Sequence, residues 1–142
     1  AREGGATIKA VIAMMRKLDA DLAKQPGENF VAIRARFTAG IDELEKAANW
    51  IVENYAKDVR ATSVGAVPFL WLFGIVAGGW QMARAALVAQ ARIDGGDADP
   101  FYPAKIITTR FFADHQMSRA AGLASTVMNG AAGALALEES MF

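Results

Sequence analysis

An all-α fold, a four-helix bundle running mostly up-down-up-down with a short C-terminal tail, follows from three features of this 142-residue sequence. Apolar residues recur at three- and four-residue steps along four long stretches. Short breakers rich in glycine, proline and asparagine or aspartate separate those stretches. One stretch, Ala61 to Ala83, contains no charged side chain at all. Helices of this length joined by short breaks pack as a bundle.

The first helix is expected from about Gly5 to Lys24, where Ile8, Val11, Ile12, Met15, Leu18 and Leu22 form one stripe. Lys9, Arg16, Lys17, Asp19 and Asp21 cover its other side. Gln25-Pro-Gly-Glu-Asn29 breaks it, and Asn29 can cap the next helix. The second helix is expected from Phe30 to Arg60, roughly 45 Å long at 1.5 Å per residue. Its apolar positions are Phe30, Ile33, Phe37, Ile41, Leu44, Ala48, Ile51 and Tyr55, the seam of a helix packed along a neighbour. Asp42, Glu43, Glu45, Lys46, Glu53, Lys57 and Asp58 read as its solvated face.

The third helix carries the apolar stretch to about Ile93. Thr62 or Ser63 can cap it, or it starts at Pro68, since proline is tolerated in a first turn. Asp94-Gly-Gly-Asp-Ala-Asp99 ends it, with Gly95 a candidate C-cap. Asp99-Pro100 opens the fourth helix, an acidic N-cap followed by proline, which should continue to Asn129. Its stripe is Tyr102, Ile106, Thr109, Ala113, Met117, Ala120, Ala124 and Val127, and the small residues from Ala120 to Ser125 admit a close neighbour. Gly130-Ala-Ala-Gly133 should end it, leaving a tail whose Leu135, Leu137, Met141 and Phe142 can dock back.

The charge-free run passes the length test for a membrane span, and Gly74 and Gly78 stand in the Gly-x-x-x-Gly spacing of membrane helices. Against a span, Thr62, Ser63, Gly65 and Pro68 crowd its first third. Lys57 and Arg60 on one side balance Arg84 and Arg92 on the other, so no orientation is specified. Three amphipathic stripes need a common partner and an all-round apolar helix supplies one. The expectation is therefore a core helix buried among the others.

Composition excludes several functions. Fifteen basic and fifteen acidic residues leave no formal charge, which argues against nucleic acid as partner. Cysteine is absent, so there is no disulfide framework or thiolate metal site, and a reducing, cytoplasmic setting is expected. His115 is the lone histidine; a di-iron bundle needs paired Glu-x-x-His helices. Glu43 with Glu45, and Glu138 with Glu139, lack a third ligand at suitable spacing. No nucleophile–base pair, P-loop or dinucleotide fingerprint occurs. Trp71, Phe73 and Trp80, like Phe111 and Phe112, could wall a ligand pocket, but core packing is the plainer use. No catalytic, cofactor-binding or metal residue is assigned.

Three stretches together carry a resemblance: Arg2-Glu-Gly-Gly-Ala-Thr-Ile-Lys9, Phe69-Leu-Trp-Leu-Phe-Gly-Ile-Val-Ala-Gly-Gly-Trp80, and Tyr102-Pro-Ala-Lys-Ile-Ile-Thr-Thr-Arg-Phe-Phe-Ala-Asp-His115 closing in Ala134-Leu-Ala-Leu-Glu-Glu-Ser-Met-Phe142. In this order they resemble the extra C-terminal domain of a bacterial branch of the flavin-dependent acyl-CoA dehydrogenases. That branch includes enzymes acting on 3-methylmercaptopropionyl-CoA. The sequence departs from the pattern at Gln116, where an apolar residue is more usual. The resemblance implies that FAD and the catalytic glutamate belong to domains ahead of this segment, and none of their residues maps onto this chain. Ala1 in place of methionine, followed by Arg2-Glu-Gly-Gly5, gives the expectation of a segment cut from that longer enzyme.

The expected function is thus a non-catalytic domain that packs on the preceding catalytic domains of its own chain and supports a homo-oligomer. Phe111 and Phe112 motivate the packing, because adjacent helical residues point about 100° apart and both do not fit one core stripe. The alternatives are a membrane-surface association module and a free-standing small-ligand-binding bundle.

Overall fold

A computed structural model describes residues 2–141, and Ala1 and Phe142 lie outside the described residues. The described chain is all-helical. Its four apolar stretches become four helical spans, three of which are interrupted.

The first span divides into α1 (Ala6–Arg16) and α2 (Asp19–Leu22) rather than running unbroken to Lys24. The turn tightens there: the Leu18 N–H reaches the Met15 carbonyl at 3.1 Å, and the Asp21 N–H reaches Leu18 at 3.1 Å. These are three-residue steps, and the change of pitch keeps Ile12, Met15 and Leu22 all buried. Both pieces pack on the long second helix, α3 (Glu28–Asn54).

Helix α3 starts before Asn29, with Gly27 in the N-cap position, so Asn29 is not its cap. The seam of Phe30, Ile33, Phe37, Ile41, Leu44 and Ala48 is buried as its spacing predicts. The helix stops at Asn54, six residues short of Arg60. The cause lies at Asp58, whose extended backbone (φ −149°, ψ 89°) cannot continue a helix. Its carboxylate accepts the Ala61 N–H at 2.9 Å and starts a separate short helix, α4 (Val59–Val64). Thr62 and Ser63 therefore lie inside α4 and cap nothing. Tyr55 is left 48% exposed.

Helix α5 (Ala66–Asp94) has Pro68 in its first turn, where no intrahelical donor is lost. Gly95 is its C-cap residue, but the left-handed position belongs to Gly96, at φ 85°. The Gly96 N–H bonds to Ile93 and the Asp97 N–H to Arg92 at 2.9 and 3.0 Å, closing a Schellman turn.

Ahead of the fourth span Asp99 Oδ1 accepts the Phe101 N–H at 2.9 Å, but Pro100 rather than Asp99 takes the N-cap position and the helix starts at Phe101, one residue later than expected. It does not continue to Asn129 in one piece. Helix α6 (Phe101–His115) gives way at Gln116 to a tight 3₁₀ turn over Met117–Arg119, and α7 (Ala120–Asn129) follows. Gly130 ends α7 at Asn129 as its C-cap, as expected, but a further short helix, α8 (Ala131–Leu135), follows at once and packs on α4. The tail does not dock: Leu137 and Met141 are exposed, only Leu135 is half-buried, and Phe142 lies outside the described residues.

One core joins the spans. Helix α5 packs on α3, α6 and α7, and α3 meets both halves of the fourth span. The buried stripe of that span, Ile106, Thr109, Ala113, Met117, Ala120, Ala124 and Val127, matches its predicted spacing across the 3₁₀ interruption.

Interhelical ion pairs reinforce these contacts. Asp42 and Glu45, expected on a merely solvated face, both accept from Arg16 Nη2 of α1. Arg34 holds Asp19 through two hydrogen bonds of 2.7 and 2.9 Å. Asp114 of α6 faces Arg36 of α3 at 3.7 Å and also accepts from Arg110 of its own helix at 2.6 Å.

Candidate docking face on α5 and α6

The apolar stretch does not behave as a buried core helix. Helix α5 buries one stripe, Leu72, Val76, Gly79, Ala83, Ala86 and Ala89, at three- and four-residue steps. Its most apolar 18-residue window has only 22% of its residues buried. On the other side Leu70 is 65% exposed and Trp71 58%, with Val67 and Val88 also exposed. The expectation of helices on all sides fails because one bundle this small supplies contacts to a single stripe. By length and composition α5 could cross a membrane.

Small residues in that stripe let the fourth span approach. Thr109, buried on α6, has the carbonyls of Met82 and Lys105 within reach of its hydroxyl at 3.2 and 2.9 Å. Gly78 faces the Phe112 ring so closely that a Cβ there would lie 3.0 Å from Cζ. Gly74, its partner in the membrane-like spacing, faces open space. The two glycines therefore do not form one packing surface.

The outer seam of α5 and α6 is an open groove with two hollows. One, of about 430 Å³, is lined by Leu70, Trp71, Ile75, Phe112, Gln116 and Arg119. The other, of about 380 Å³, is lined by Gln81, Arg84, Val88, Phe101, Tyr102 and Lys105. Residues from Trp71 to Val88 and from Phe101 to Arg119 enter it at near-heptad steps, so the hollows share one face of each helix.

The floor is apolar and the charges along it are all basic. The Arg84 guanidinium lies 5.3 Å from the Trp80 ring centre and donates to Gln81 Oε1 at 2.9 Å. The Lys105 ammonium lies 5.3 Å from the Phe101 ring centre. Among the described residues Arg84, Lys105 and Arg119 have no carboxylate partner, whereas Arg16, Arg34 and Arg110 do. No aspartate or glutamate lines either hollow.

The aromatic residues separate as adjacent helical positions must. Phe112 is half-buried against Gly78. Phe111 is 59% exposed and stacks on the exposed His115 ring at 4.2 Å. Trp71, read from sequence as core, stands in solvent, while Phe73 and Trp80 are half-buried. The exposed face was missed because composition cannot tell which side of an apolar helix its own domain covers.

Among the described residues no three His, Asp or Glu side chains come together to hold a metal ion. Neither hollow is enclosed, and the polar groups lining them are Gln81, Arg84, Tyr102, Lys105, Gln116 and Arg119. An exposed apolar surface of this kind marks a face that a protein surface or a membrane covers.

The sequence matches the family described as acetyl-CoA dehydrogenase C-terminal like over residues 5–138. A relative from Ruegeria pomeroyi, named 3-methylmercaptopropionyl-CoA dehydrogenase, is 35% identical over 119 residues. The match covers 79% of this chain and 19% of the relative, so the chain spans about a fifth of that protein's length. No solved structure matches the chain.

Proposed function

This chain belongs to the acetyl-CoA dehydrogenase C-terminal-like family, and from that premise we propose that it is the non-catalytic C-terminal domain of an acyl-CoA dehydrogenase-like flavoenzyme. In this reading it packs on the preceding catalytic domains of its own polypeptide and supports assembly of a homo-oligomer in the cytoplasm. The parent reaction is the α,β-dehydrogenation of an acyl-CoA. FAD supplies its hydride acceptor in those preceding domains.

The residues present here do not fit a flavin. The hollows along α5 and α6 are open to solvent, and the described residues offer no strand-to-helix phosphate cradle. No step of the reaction is therefore routed through this domain.

The observation that carries the reading is the exposed apolar face of Val67, Leu70 and Trp71 on α5, together with the exposed Phe111 on α6. A contiguous face of this kind rarely stays open in a soluble protein, and a much longer relative supplies domains that could cover it. Substituting Phe111→Ser in the full-length enzyme tests it. The expected result is a looser assembly, read as lower oligomer mass and reduced activity. Unchanged mass and activity would count against the reading.

A second reading, association with a membrane surface, draws on the same Val67, Leu70 and Trp71 with Arg84 and Lys105 nearby. Co-sedimentation of the full-length enzyme with anionic vesicles separates the two. An enzyme that stays in the supernatant removes the membrane.

A further inference from the structure

We propose that the α5/α6 groove receives an acidic amphipathic helix from the domains preceding this chain, its carboxylates meeting Arg84, Lys105 and Arg119. The proposal rests on the accessory-domain reading and names the chemistry of the surface that reading requires.

Charge is the first ground. The three cations border an apolar floor, and no described carboxylate pairs with them. Covering the groove with a neutral apolar surface would strip water from them without compensation, which is strongly unfavourable. An occupant that brings acids matches both floor and rim.

Shape is the second ground. From Trp71 to Val88 the groove follows α5 for roughly 26 Å at 1.5 Å per residue, enough for about five helical turns. The seam between two packed helices is the surface into which a third helix sets its ridges. A helix carrying an apolar stripe flanked by Asp or Glu satisfies the pattern, with its apolar side chains over Trp71, Ile75 and Val88.

A second copy fits less well. A two-fold contact through this groove would set the same surface against itself, bringing Arg84 and Lys105 toward their own equivalents.

Carbodiimide coupling tests the proposal, because it joins an amine to a carboxylate only when the two are in contact. Applied to the full-length enzyme, it should link Lys105 to an Asp or Glu in a helix outside residues 1–142 of the same polypeptide. Lys105→Arg, which keeps the charge, should lose that link and leave oligomer mass unchanged.

Four results would overturn it. These are a link from Lys105 to a carboxylate within residues 1–142, a link to a second copy in mixed isotope-labelled protein, acetylation of Lys105 as fast as exposed Lys9, and protection of Lys105 only when anionic vesicles are added. If Trp71 is covered in the full-length enzyme and Lys105 still finds no external acid, the accessory-domain reading survives and the acidic helix does not.

Discussion

The sulfur of Met117 fills the space that a side chain on Gly79 would need, so that a Cβ built there would overlap it. On the other side Gly40 of α3 meets the same residue, and a Cβ there would lie 2.7 Å from Met117 Cε. One methionine, 4% exposed, thus locks α3, α5 and the fourth span through a glycine on each long helix. The 3₁₀ turn that carries it is where the fourth span departs from α-helical pitch.

Gly79→Ala should therefore destabilise the bundle although alanine is the better helix former. Overpacking against a boxed-in Met117 is expected to cost about 1–3 kcal/mol, exceeding a propensity gain of up to ~1 kcal/mol. Gly74→Ala, facing open space, should instead stabilise by about 0.5–1 kcal/mol. Urea denaturation of the two variants should move the midpoint in opposite directions; movement in the same direction would refute the lock.

Arg16→Ala should weaken the joint between α1 and α3, since one guanidinium holds Asp42 and Glu45 together. All three side chains are more than a third exposed, so the loss should be about 0.3–1 kcal/mol and shrink as salt is raised. A loss unaffected by salt would mean that Arg16 acts through packing of its stem.

The four helical spans, their stripes and the break before α6 were legible because apolar spacing and breaker residues are local signals. The interruptions were not. At Lys17–Leu18 and at Gln116 the apolar period runs straight through, and the tighter turn answers to contacts distant in sequence, such as Gly40 and Gly79 with Met117. Asp58 did carry a readable signal, an acid four residues before Thr62, but the even spacing around it favoured one long helix. The open side of α5 could not be read at all. Sequence shows that a surface is apolar, and its cover can come from the same domain or from another one.

Acid should destabilise the fold through Asp19 and Asp114. Hydrogen bonds from Arg34 hold the Asp19 carboxyl below the usual carboxylate range, and those from Arg110 do the same for Asp114. A carboxylate whose folded pKa is depressed contributes stability that is complete above its unfolded pKa, near 4, and is lost as pH falls through the lower folded value. Denaturation midpoints should hold steady from about pH 7 to 5 and fall below about pH 4. With Asp19→Asn and Asp114→Asn combined, that fall should flatten. A fall of the same size in the double variant would place the acid sensitivity in other groups.

Asp58→Ala should fray α4 by removing the acceptor of the Ala61 N–H, at a cost of about 1 kcal/mol. Because α4 packs on α8, amide exchange should quicken in both short helices while the buried part of α3 keeps its protection. Uniform quickening across the bundle would show that the cap acts on global stability.

The central claim is that the outer face of α5 is covered when the chain is part of its enzyme. Hydroxyl-radical footprinting of Trp71 and Leu70 compares the 142-residue chain with the full-length protein directly. Both residues should oxidise readily in the 142-residue chain, where they are exposed, and be strongly protected in the full-length protein. Equal oxidation of Trp71 in the two would contradict the docking role.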